Sequence, residues 1–263
     1  MKKNNELFEF DAIIIGAGIV GLAIAHKLSG SYNNILVVEK ESSFGRHISS
    51  RNSEVIHSGI YYNPSSLKAK LCFEGNKLLY QFAQKYNIKY IKCGKYIVAS
   101  NSNEVKKIES IFQNGINNGL EGLKILNANQ IHKREPLIKS ISGLWVPSSG
   151  IIDSHGLMHK LEYLIKLNHG NLIYNTEVIN ILYKNHRYCL ELKNESFKLK
   201  TKILINATGL WCDKISSLLG INDYKIYYCK GEYYKTSQYR NQIKSLIYPV
   251  PTKISLGCHV VLK

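Results

Sequence analysis

Three glycines and one glutamate near the start of the chain have the types and spacing that bind a dinucleotide. Gly16, Gly18 and Gly21 form a G-x-G-x-x-G pattern, and Glu39 follows roughly 20 residues later. The first glycine permits a tight turn, the second lets backbone approach a pyrophosphate, and the third lets a helix pack closely on a strand. Glu39 can accept hydrogen bonds from both hydroxyls of an adenosine ribose, and its charge repels a 2′-phosphate. The pattern therefore predicts a dinucleotide site that disfavours NADP.

The elements expected to position these residues form a strand–turn–helix–strand unit. The apolar run 10–15 predicts a strand buried on both faces, residues 22–28 predict a helix that Gly30 ends, and residues 35–38 predict a second buried strand. The helix N-terminus then offers free N–H groups and a positive dipole end to the phosphates. An ordinary glycine turn before a core helix would not require the glutamate, so the order of elements favours a nucleotide site.

Two later stretches favour FAD over NAD. Residues 172–178 predict one strand that could bring Val178 against an adenine. Residues 203–209 predict a buried strand that ends in a turn of small residues. A glycine pattern at the N-terminal end combined with a distant Ala-Thr-Gly strand end is more typical of flavoproteins than of NAD dehydrogenases.

The composition is that of a soluble globular protein. The chain has 263 residues, of which 44% are hydrophobic and 21% charged, and these values exclude a disordered, collagen-like or low-complexity protein. No apolar run is long enough to span a bilayer, and the first residues resemble neither a secretory signal nor a transit peptide, so we expect a cytoplasmic protein. The six cysteines are widely spaced, which predicts reduced thiols and no metal site.

The net charge of +16 leaves two interpretations open. The lysines are scattered along the chain, which favours dispersed surface charge over an interaction tail. A basic surface would also attract anionic lipid headgroups or an acidic substrate. No nucleic-acid recognition motif accompanies the charge, so we expect no nucleic-acid partner.

Four segments carry a more specific resemblance. Residues 52–62 have the sequence N-S-E-V-I-H-S-G-I-Y-Y, and residues 230–234 have the sequence K-G-E-Y-Y. Together with residues 93–99 and 147–153, they resemble the L-2-hydroxyglutarate oxidase/dehydrogenase family. That family belongs to the D-amino-acid-oxidase-like FAD oxidoreductases, so the resemblance implies an enzyme with FAD as its cofactor.

The resemblance implies an α/β fold with α+β elements, in which a Rossmann-like FAD-binding domain is built from discontinuous segments and carries an inserted mixed-sheet substrate domain. We assign residues 1–90 and 146–220 to the FAD-binding domain, and residues 91–145 and 221–263 to a partial substrate-binding domain. Apolar spacing predicts further helices over 65–86, 103–117, 127–135, 155–167 and 213–219, and further strands over 96–100, 226–236 and 245–248.

The resemblance also implies the chemistry. A 2-hydroxy dicarboxylate, L-2-hydroxyglutarate above all, would be oxidised by hydride transfer to flavin N5 while a base takes the hydroxyl proton. His57 is the first candidate base and His259 the second, although His57 could instead structure its loop. Cationic or donor groups must orient the carboxylates. The candidates for this role are Lys230, Arg51, Tyr61 and Tyr62, with a solvated strand lysine as the alternative for the first.

Cofactor contacts outside the glycine pattern are implied by the same resemblance. Most of them lie in a loop expected to run beneath the flavin pyrophosphate and ring, and the others lie in a turn that approaches the pyrophosphate from the other side. The predicted contacts are Lys40, Gly45, Arg46, Ser49, Ser50 and Asn52 in the loop, and Thr208 and Gly209 in the turn.

The chain ends at Lys263, whereas family members continue through more of the substrate domain and a glycine-rich segment that cradles the flavin ring. We therefore expect a C-terminally incomplete fold, either a truncated product or one half of an enzyme whose C-terminal half is separately encoded. Truncation is favoured, and the purified chain is then expected to bind FAD weakly or not at all.

Other functions stay open. The chain could be a relative of the glycerol-3-phosphate or amino-acid oxidases, or an inactive fragment with a dinucleotide fold. The basic surface would suit a quinone or another electron acceptor at a membrane surface, with the protein peripheral at the inner face of the membrane.

Overall fold

The computed structural model describes residues 6–239, 241–252 and 257–262. The helices are α1 (Ile19–Ser29), α2 (Leu67–Lys85), α3 (Ser102–Asn117), α4 (Ala128–Arg134), α5 (Ser154–Leu167) and α6 (Cys212–Ser217). The strands are β1 (Leu7–Ile15), β2 (Ile35–Val38), β3 (Val55–Ile56), β4 (Tyr90–Ile91), β5 (Lys95–Ala99), β6 (Lys124–Asn127), β7 (Ser142–Val146), β8 (Gly150–Ile152), β9 (Asn171–Ile173), β10 (Val178–Lys184), β11 (Arg187–Leu192), β12 (Lys198–Asn206) and β13 (Leu246–Pro249).

The chain divides into two compact units. Unit 1 contains residues 1–52 and 154–232, and unit 2 contains residues 53–153 and 233–263. These boundaries differ from the predicted ones, because β3, β4 and β8 form one antiparallel sheet and so draw the segments around them into unit 2. The assignment of one unit to FAD and the other to substrate stays a prediction.

Unit 1 is built around one sheet with the strand order β10-β11-β12-β1-β2-β9. Strands β12, β1, β2 and β9 run parallel, whereas β10, β11 and β12 are antiparallel neighbours. All four residues of β2 are buried, as its continuous apolar sequence predicts for a strand covered on both faces. The apolar core of unit 1 includes Ile13, Leu36, Val178 and Leu190, and α1 packs against α5. This parallel βαβ arrangement confirms the predicted α/β class.

Unit 2 contains a mixed sheet with the order β13-β5-β7-β6, in which β13 is parallel to β5 and the other pairs are antiparallel. Ile97 on β5 and Leu144 on β7 pack with Ile108 of α3 in one apolar cluster of this unit. Every residue of β5 is buried, including the lysine at its first position.

Two predicted strands were wrong. Residues 172–178 do not form one strand, because the chain turns at Asn175, where φ is +54°, between β9 and β10. Residues 226–236 form no strand in the part of the chain that the structure describes. Tyr227 and Tyr234 there are 81% and 94% exposed. Tyrosines favour a strand only when a neighbouring strand can pair with it, and no described strand pairs with this segment.

Within the described residues, no helix combines the length and apolar character that crossing a membrane requires. The first five residues, which entered the prediction that the chain carries no leader, lie outside the described residues.

Replacing Gly75 by alanine is expected to raise the free energy of unfolding by about 0.5–1 kcal/mol. Gly75 lies inside α2, and a β-carbon there would meet no atom within 4 Å, so only the backbone entropy term remains. Urea denaturation measures the change. Gly115→Ala in α3 is the matched control, because its β-carbon would lie 2.6 Å from Leu123 and should destabilise the protein. Equal effects of the two substitutions would contradict this account.

Candidate functional site

The glycine turn after β1 is closed so tightly that only glycine fits at two positions. At Gly16, φ is +104° and a β-carbon would lie 2.6 Å from the carbonyl oxygen of Ala207. A β-carbon on Gly21 would lie 2.0 Å from the carbonyl oxygen of Gly16. The turn is tight and the helix packs closely on the strand, as predicted from the glycine spacing, and the start of α1 also lies against the residue that follows β12.

The N-terminus of α1 faces this turn. Helix α1 begins at Ile19 after Gly18, and the N–H groups of its first turn have no intrahelical acceptor. Ser49 Oγ accepts a hydrogen bond from the Ile19 N–H at 2.9 Å, and a β-carbon on Gly18 would lie only 3.1 Å from the same oxygen. Val20, the next residue of the helix, is 61% exposed, whereas Gly21 is buried. This end of α1 can therefore hold an anion such as a phosphate.

Glu39 is held beside the same turn. Its side chain is buried, its Oε2 accepts from the Ala17 N–H at 2.7 Å, and its Oε1 accepts from the Glu41 N–H at 3.0 Å. Each carboxylate oxygen has a further lone pair, so the group can still accept hydrogen bonds from ribose hydroxyls. Glu39 thus fixes the glycine turn from within, a structural role that the spacing of the motif did not indicate.

The predicted cofactor loop, residues 40–52, folds back on the glycine turn. The Gly45 N–H donates to the Ala17 carbonyl at 3.0 Å, and φ of Gly45 is +66°. The Asn52 amide donates to the carbonyls of Ile48 and Ser49 and so holds the end of the loop. Arg46, Ser50 and Arg51 are exposed on the loop. Their contacts with cofactor or substrate stay predictions.

An aromatic cluster beside this loop was missed from the sequence. Lys40 Nζ lies 3.3 Å from the centroid of the Trp211 ring. The centroids of the His47 and Trp211 rings are 4.5 Å apart, and the angle between the two ring planes is 60°. His47 Nε2 also forms a 2.8 Å contact with Glu41 Oε1. Trp211 follows the predicted Thr208–Gly209 turn directly, and an aromatic residue three positions after a strand-end threonine was the available signal.

The other predicted contacts of unit 1 are divided between the turn and more distant positions. Thr208 Oγ1 donates to Asn206 at 2.6 Å, and Thr208 Cα would lie 3.2 Å from a β-carbon on Gly16, so this turn adjoins the glycine turn. Val178 is buried in the core, which leaves its backbone rather than its side chain to meet an adenine. Lys230 is 84% exposed and pairs with Glu232 at 2.8 Å.

Unit 2 brings both candidate bases together with one buried lysine. Lys95 is 1% exposed, and its Nζ lies 4.6 Å from the Tyr61 ring centroid and 5.0 Å from that of Tyr248. The His259 ring stacks on the Tyr248 ring at 4.3 Å and 18°. His57 is close enough to both Lys95 and His259 for their charges to act on it. We call these five residues the unit 2 polar cluster.

His57 is positioned by α2. The buried Asn76 side chain donates to the His57 carbonyl at 2.9 Å and to the Ser148 carbonyl at 3.0 Å, which fixes the backbone just after β3. The imidazole lines one end of an otherwise mostly apolar groove of about 440 Å³ along α2. Asn76 was not predicted from the sequence. Tyr62 lies nearby with its ring under Lys68 Nζ, 4.4 Å from the centroid.

The unit 2 polar cluster favours a neutral histidine and lowers the pKa of its lysine, which stays mostly protonated at neutral pH. Partial burial of the ring, followed by the positive charge of Lys95, lowers the pKa of His57 from 6.5 to about 4. Because the residue is also exposed on one side, solvent opposes part of this lowering. Burial lowers the pKa of Lys95 from 10.5 to about 8.

Removing the charge of Lys95 is expected to raise the pKa of His57 toward its ordinary value. The folded state binds the His57 proton less tightly than the unfolded chain does, so the stability contributed by the neutral ring is present above 6.5 and is lost as the pH falls toward about 4. An NMR titration of the imidazole in Lys95→Met measures the shift. Lys68→Met is the control and should raise the pKa less, because the charge of Lys68 acts more weakly on the ring than that of Lys95. An unchanged pKa in Lys95→Met contradicts the proximity of the two charges.

Comparison with known proteins identifies the family to which the sequence is similar. The sequence matches the family described as "DAO: FAD dependent oxidoreductase" over residues 11–263. It is 33% identical to the mitochondrial L-2-hydroxyglutarate dehydrogenase of Arabidopsis thaliana over 96% of this chain and 59% of the relative. It is 34% identical to the L-2-hydroxyglutarate dehydrogenase of Escherichia coli K12 over 95% of this chain and 60% of the relative. The chain therefore spans about 60% of the length of these relatives.

Solved structures show the same fold. The dithionite-reduced L-alpha-glycerophosphate oxidase of Mycoplasma pneumoniae with FAD bound aligns with a TM-score of 0.82 and 29% identity, covering 93% of this chain and 66% of that one. Glycine oxidase from Geobacillus kaustophilus aligns with a TM-score of 0.74 and 18% identity, covering 81% of this chain and 59% of that one. The family match and the first of these structures confirm two predictions, namely that the cofactor is FAD and that the chain has the fold of an FAD-dependent oxidoreductase. On this evidence the chain belongs to the DAO family of FAD-dependent oxidoreductases.

Proposed function

We propose that the protein containing this chain binds FAD through unit 1 and oxidises L-2-hydroxyglutarate to 2-oxoglutarate. The observation that carries the cofactor part is the buried Glu39 carboxylate, fixed against a glycine turn at the N-terminus of α1. The substrate follows from the relatives, which are named L-2-hydroxyglutarate dehydrogenases and share 33–38% identity with at least 92% of this chain.

In this proposal the residues of unit 1 bind and orient the nucleotide. The N–H groups at the start of α1 hold the pyrophosphate, and Glu39 accepts hydrogen bonds from the ribose hydroxyls. Ser49 already bonds the first N–H of α1 and so limits where the phosphates can lie. When FAD is bound, it supplies the acceptor for the hydride.

In this proposal a residue of unit 2 accepts the hydroxyl proton of the substrate. A neutral His57 accepts the hydroxyl proton through a free ring nitrogen, and its lowered pKa keeps it neutral at neutral pH. His259 is the second candidate for this role, with Tyr248 holding its ring by stacking. Tyr61, Tyr62, Arg51 and Lys230 remain proposed substrate-orienting residues.

One competing substrate is favoured by a specific observation. The glycerophosphate oxidase of Mycoplasma pneumoniae shares 29% identity and a TM-score of 0.82 with this chain, close to the identity of the hydroxyglutarate relatives. Glycerol 3-phosphate therefore belongs in any substrate test.

Anaerobic reduction of the flavin tests the function. The chain is purified with added FAD, alone and after co-expression with the part of the E. coli relative that it does not cover. We expect L-2-hydroxyglutarate to bleach the flavin absorbance of the co-expressed form, and the D-enantiomer, glycine and glycerol 3-phosphate to leave it unchanged. Bleaching by glycerol 3-phosphate contradicts the proposed reaction. The reaction is also contradicted if no substrate bleaches the flavin in either preparation.

The same preparation addresses the proposed partners. A separately encoded C-terminal half would explain why the chain spans about 60% of its relatives. In that case the added polypeptide copurifies with the chain and the FAD. We also propose a quinone acceptor at an anionic membrane surface, on the strength of the net charge of +16. Reoxidation of the bleached flavin by a quinone analogue supports this acceptor, and reoxidation by oxygen alone opposes it.

A further inference from the structure

Lys95 is an unusual residue for the place it occupies. It begins β5, whose five positions are all buried, and it is itself 1% exposed. Burying an ammonium group is strongly unfavourable because it loses its hydration, unless an anion or several hydrogen bonds offset the loss. Across residues 6–239, 241–252 and 257–262, no carboxylate forms an ion pair with Lys95. The described groups around its Nζ are the ring faces of Tyr61 and Tyr248, together with the Cys72 thiol and the His57 imidazole, whose charges interact with that of Lys95.

A second group in the same place lacks a partner. The Tyr61 hydroxyl is buried and has no hydrogen-bond partner among the described residues. Burying a hydroxyl without a hydrogen-bond partner is energetically unfavourable, so native proteins rarely leave one without a role. Because Lys95 Nζ lies over the Tyr61 ring, this phenol and the ammonium belong to one cluster. Both groups donate hydrogen bonds and both lack an acceptor.

The edge of the cluster carries the candidate bases. The charges of Lys95 and His259 act on His57, and the His259 ring stacks on that of Tyr248. A ligand that meets Lys95 and Tyr61 would therefore lie in the neighbourhood of a group able to accept its proton. The ligand must supply acceptors and negative charge, and a carboxylate supplies both.

We propose that Lys95 and the Tyr61 hydroxyl bind one carboxylate of the substrate. The proposal deepens the proposed function, since it names the cation that holds a hydroxy dicarboxylate in unit 2. It also replaces Lys230 as the leading carboxylate ligand, because Lys230 is exposed and already paired with Glu232. The alternative is that Lys95 is purely structural, held by its two aromatic faces alone.

Glutarate tests the proposal without FAD or turnover. The chain is labelled with ¹³C-lysine, and the side-chain CH₂ signal next to Nζ of Lys95 is assigned by its absence from Lys95→Arg. We expect a saturable shift of this signal on adding glutarate, and none on adding chloride at equal ionic strength. No shift with glutarate, or an equal shift with chloride, overturns the proposal. This measurement uses the unmodified chain, so it stands even if a variant fails to fold.

Two matched variants complete the test. Lys95→Met should weaken glutarate binding by at least about tenfold, as expected for a lost charge-assisted hydrogen bond. Lys124→Met alters an exposed lysine on β6 of the same sheet and should change the affinity by less than about twofold. Tyr61→Phe should weaken binding by a smaller factor than Lys95→Met. Equal affinity of Lys95→Met and the unmodified chain overturns the proposal.

The outcome is separable from that of the proposed function. Lys95-dependent glutarate binding without flavin reduction by L-2-hydroxyglutarate leaves the carboxylate site standing and refutes the reaction. Flavin reduction by L-2-hydroxyglutarate with no response at Lys95 supports the reaction and refutes the site.

Discussion

Replacing Gly21 by alanine is expected to destabilise unit 1 by about 3 kcal/mol or more and to abolish nucleotide binding. The added β-carbon would lie 2.0 Å from the carbonyl oxygen of Gly16, and backbone cannot move aside as a flexible side chain can. Relief would require α1 to shift away from β1, which removes its N-terminus from the glycine turn. The expected loss therefore combines stability and binding.

Tryptophan fluorescence during urea denaturation can report this loss for unit 1 alone. The chain has two tryptophans, of which Trp211 belongs to unit 1 and Trp145 to unit 2, so a Trp145→Phe background isolates the first. Gly30→Ala, at the other end of α1, is the control, because its β-carbon would meet its nearest atom at an ordinary 3.6 Å. A Gly21→Ala midpoint equal to that of Gly30→Ala would show that the turn is not closed as described.

Replacing Glu39 by alanine is expected to lower the affinity for ADP by about 100-fold, because hydrogen bonds to a charged acceptor contribute about 1.5 kcal/mol or more each. The substitution removes the predicted ribose contacts and also the acceptor of the Ala17 N–H, so the turn itself loses a support. Isothermal titration with ADP measures the affinity, and circular dichroism establishes that the variant is folded.

Two controls separate the ribose contact from general charge. Glu195→Ala removes an exposed carboxylate of unit 1 and should leave ADP affinity within about twofold. Glu39→Gln keeps one acceptor oxygen, so its affinity should lie between that of Glu39→Ala and that of the unmodified chain. Undiminished ADP binding by Glu39→Ala removes the basis for the proposed cofactor site.

The first βαβ unit could be predicted closely because its local signals agree with its tertiary context. The buried run before Gly16, the glycine spacing and the short strand at residues 35–38 each indicate the same arrangement, and the structure contains it. What could not be foreseen was the internal use of Glu39. Its bonds to Ala17 and Glu41 depend on how the chain folds back, which spacing alone does not reveal.

The failures have equally physical causes. Asn175 was itself a signal for a left-handed turn, because asparagine tolerates positive φ and is depleted in strands, but the β-type residues on both sides of it favoured one continuous strand. The tyrosines of residues 226–236 favour a strand by residue type, but pairing depends on a partner strand that local sequence cannot specify. Lys95 was passed over because a lysine at a strand end normally faces water. The unbroken apolar run that follows it was the signal that both faces of β5 are covered.

The pairing of β1 with β12 has a consequence for how the protein is made. Leu7–Ile15 leaves the ribosome early, yet its parallel neighbour Lys198–Asn206 is synthesised only after all but the last strand of unit 2. Until then β1 has no neighbouring strand on one of its two edges, and the Ala207 carbonyl that packs closely on Gly16 has not been synthesised. Nascent chains halted before Asn206 should therefore bind a holdase chaperone, and release should coincide with emergence of that segment.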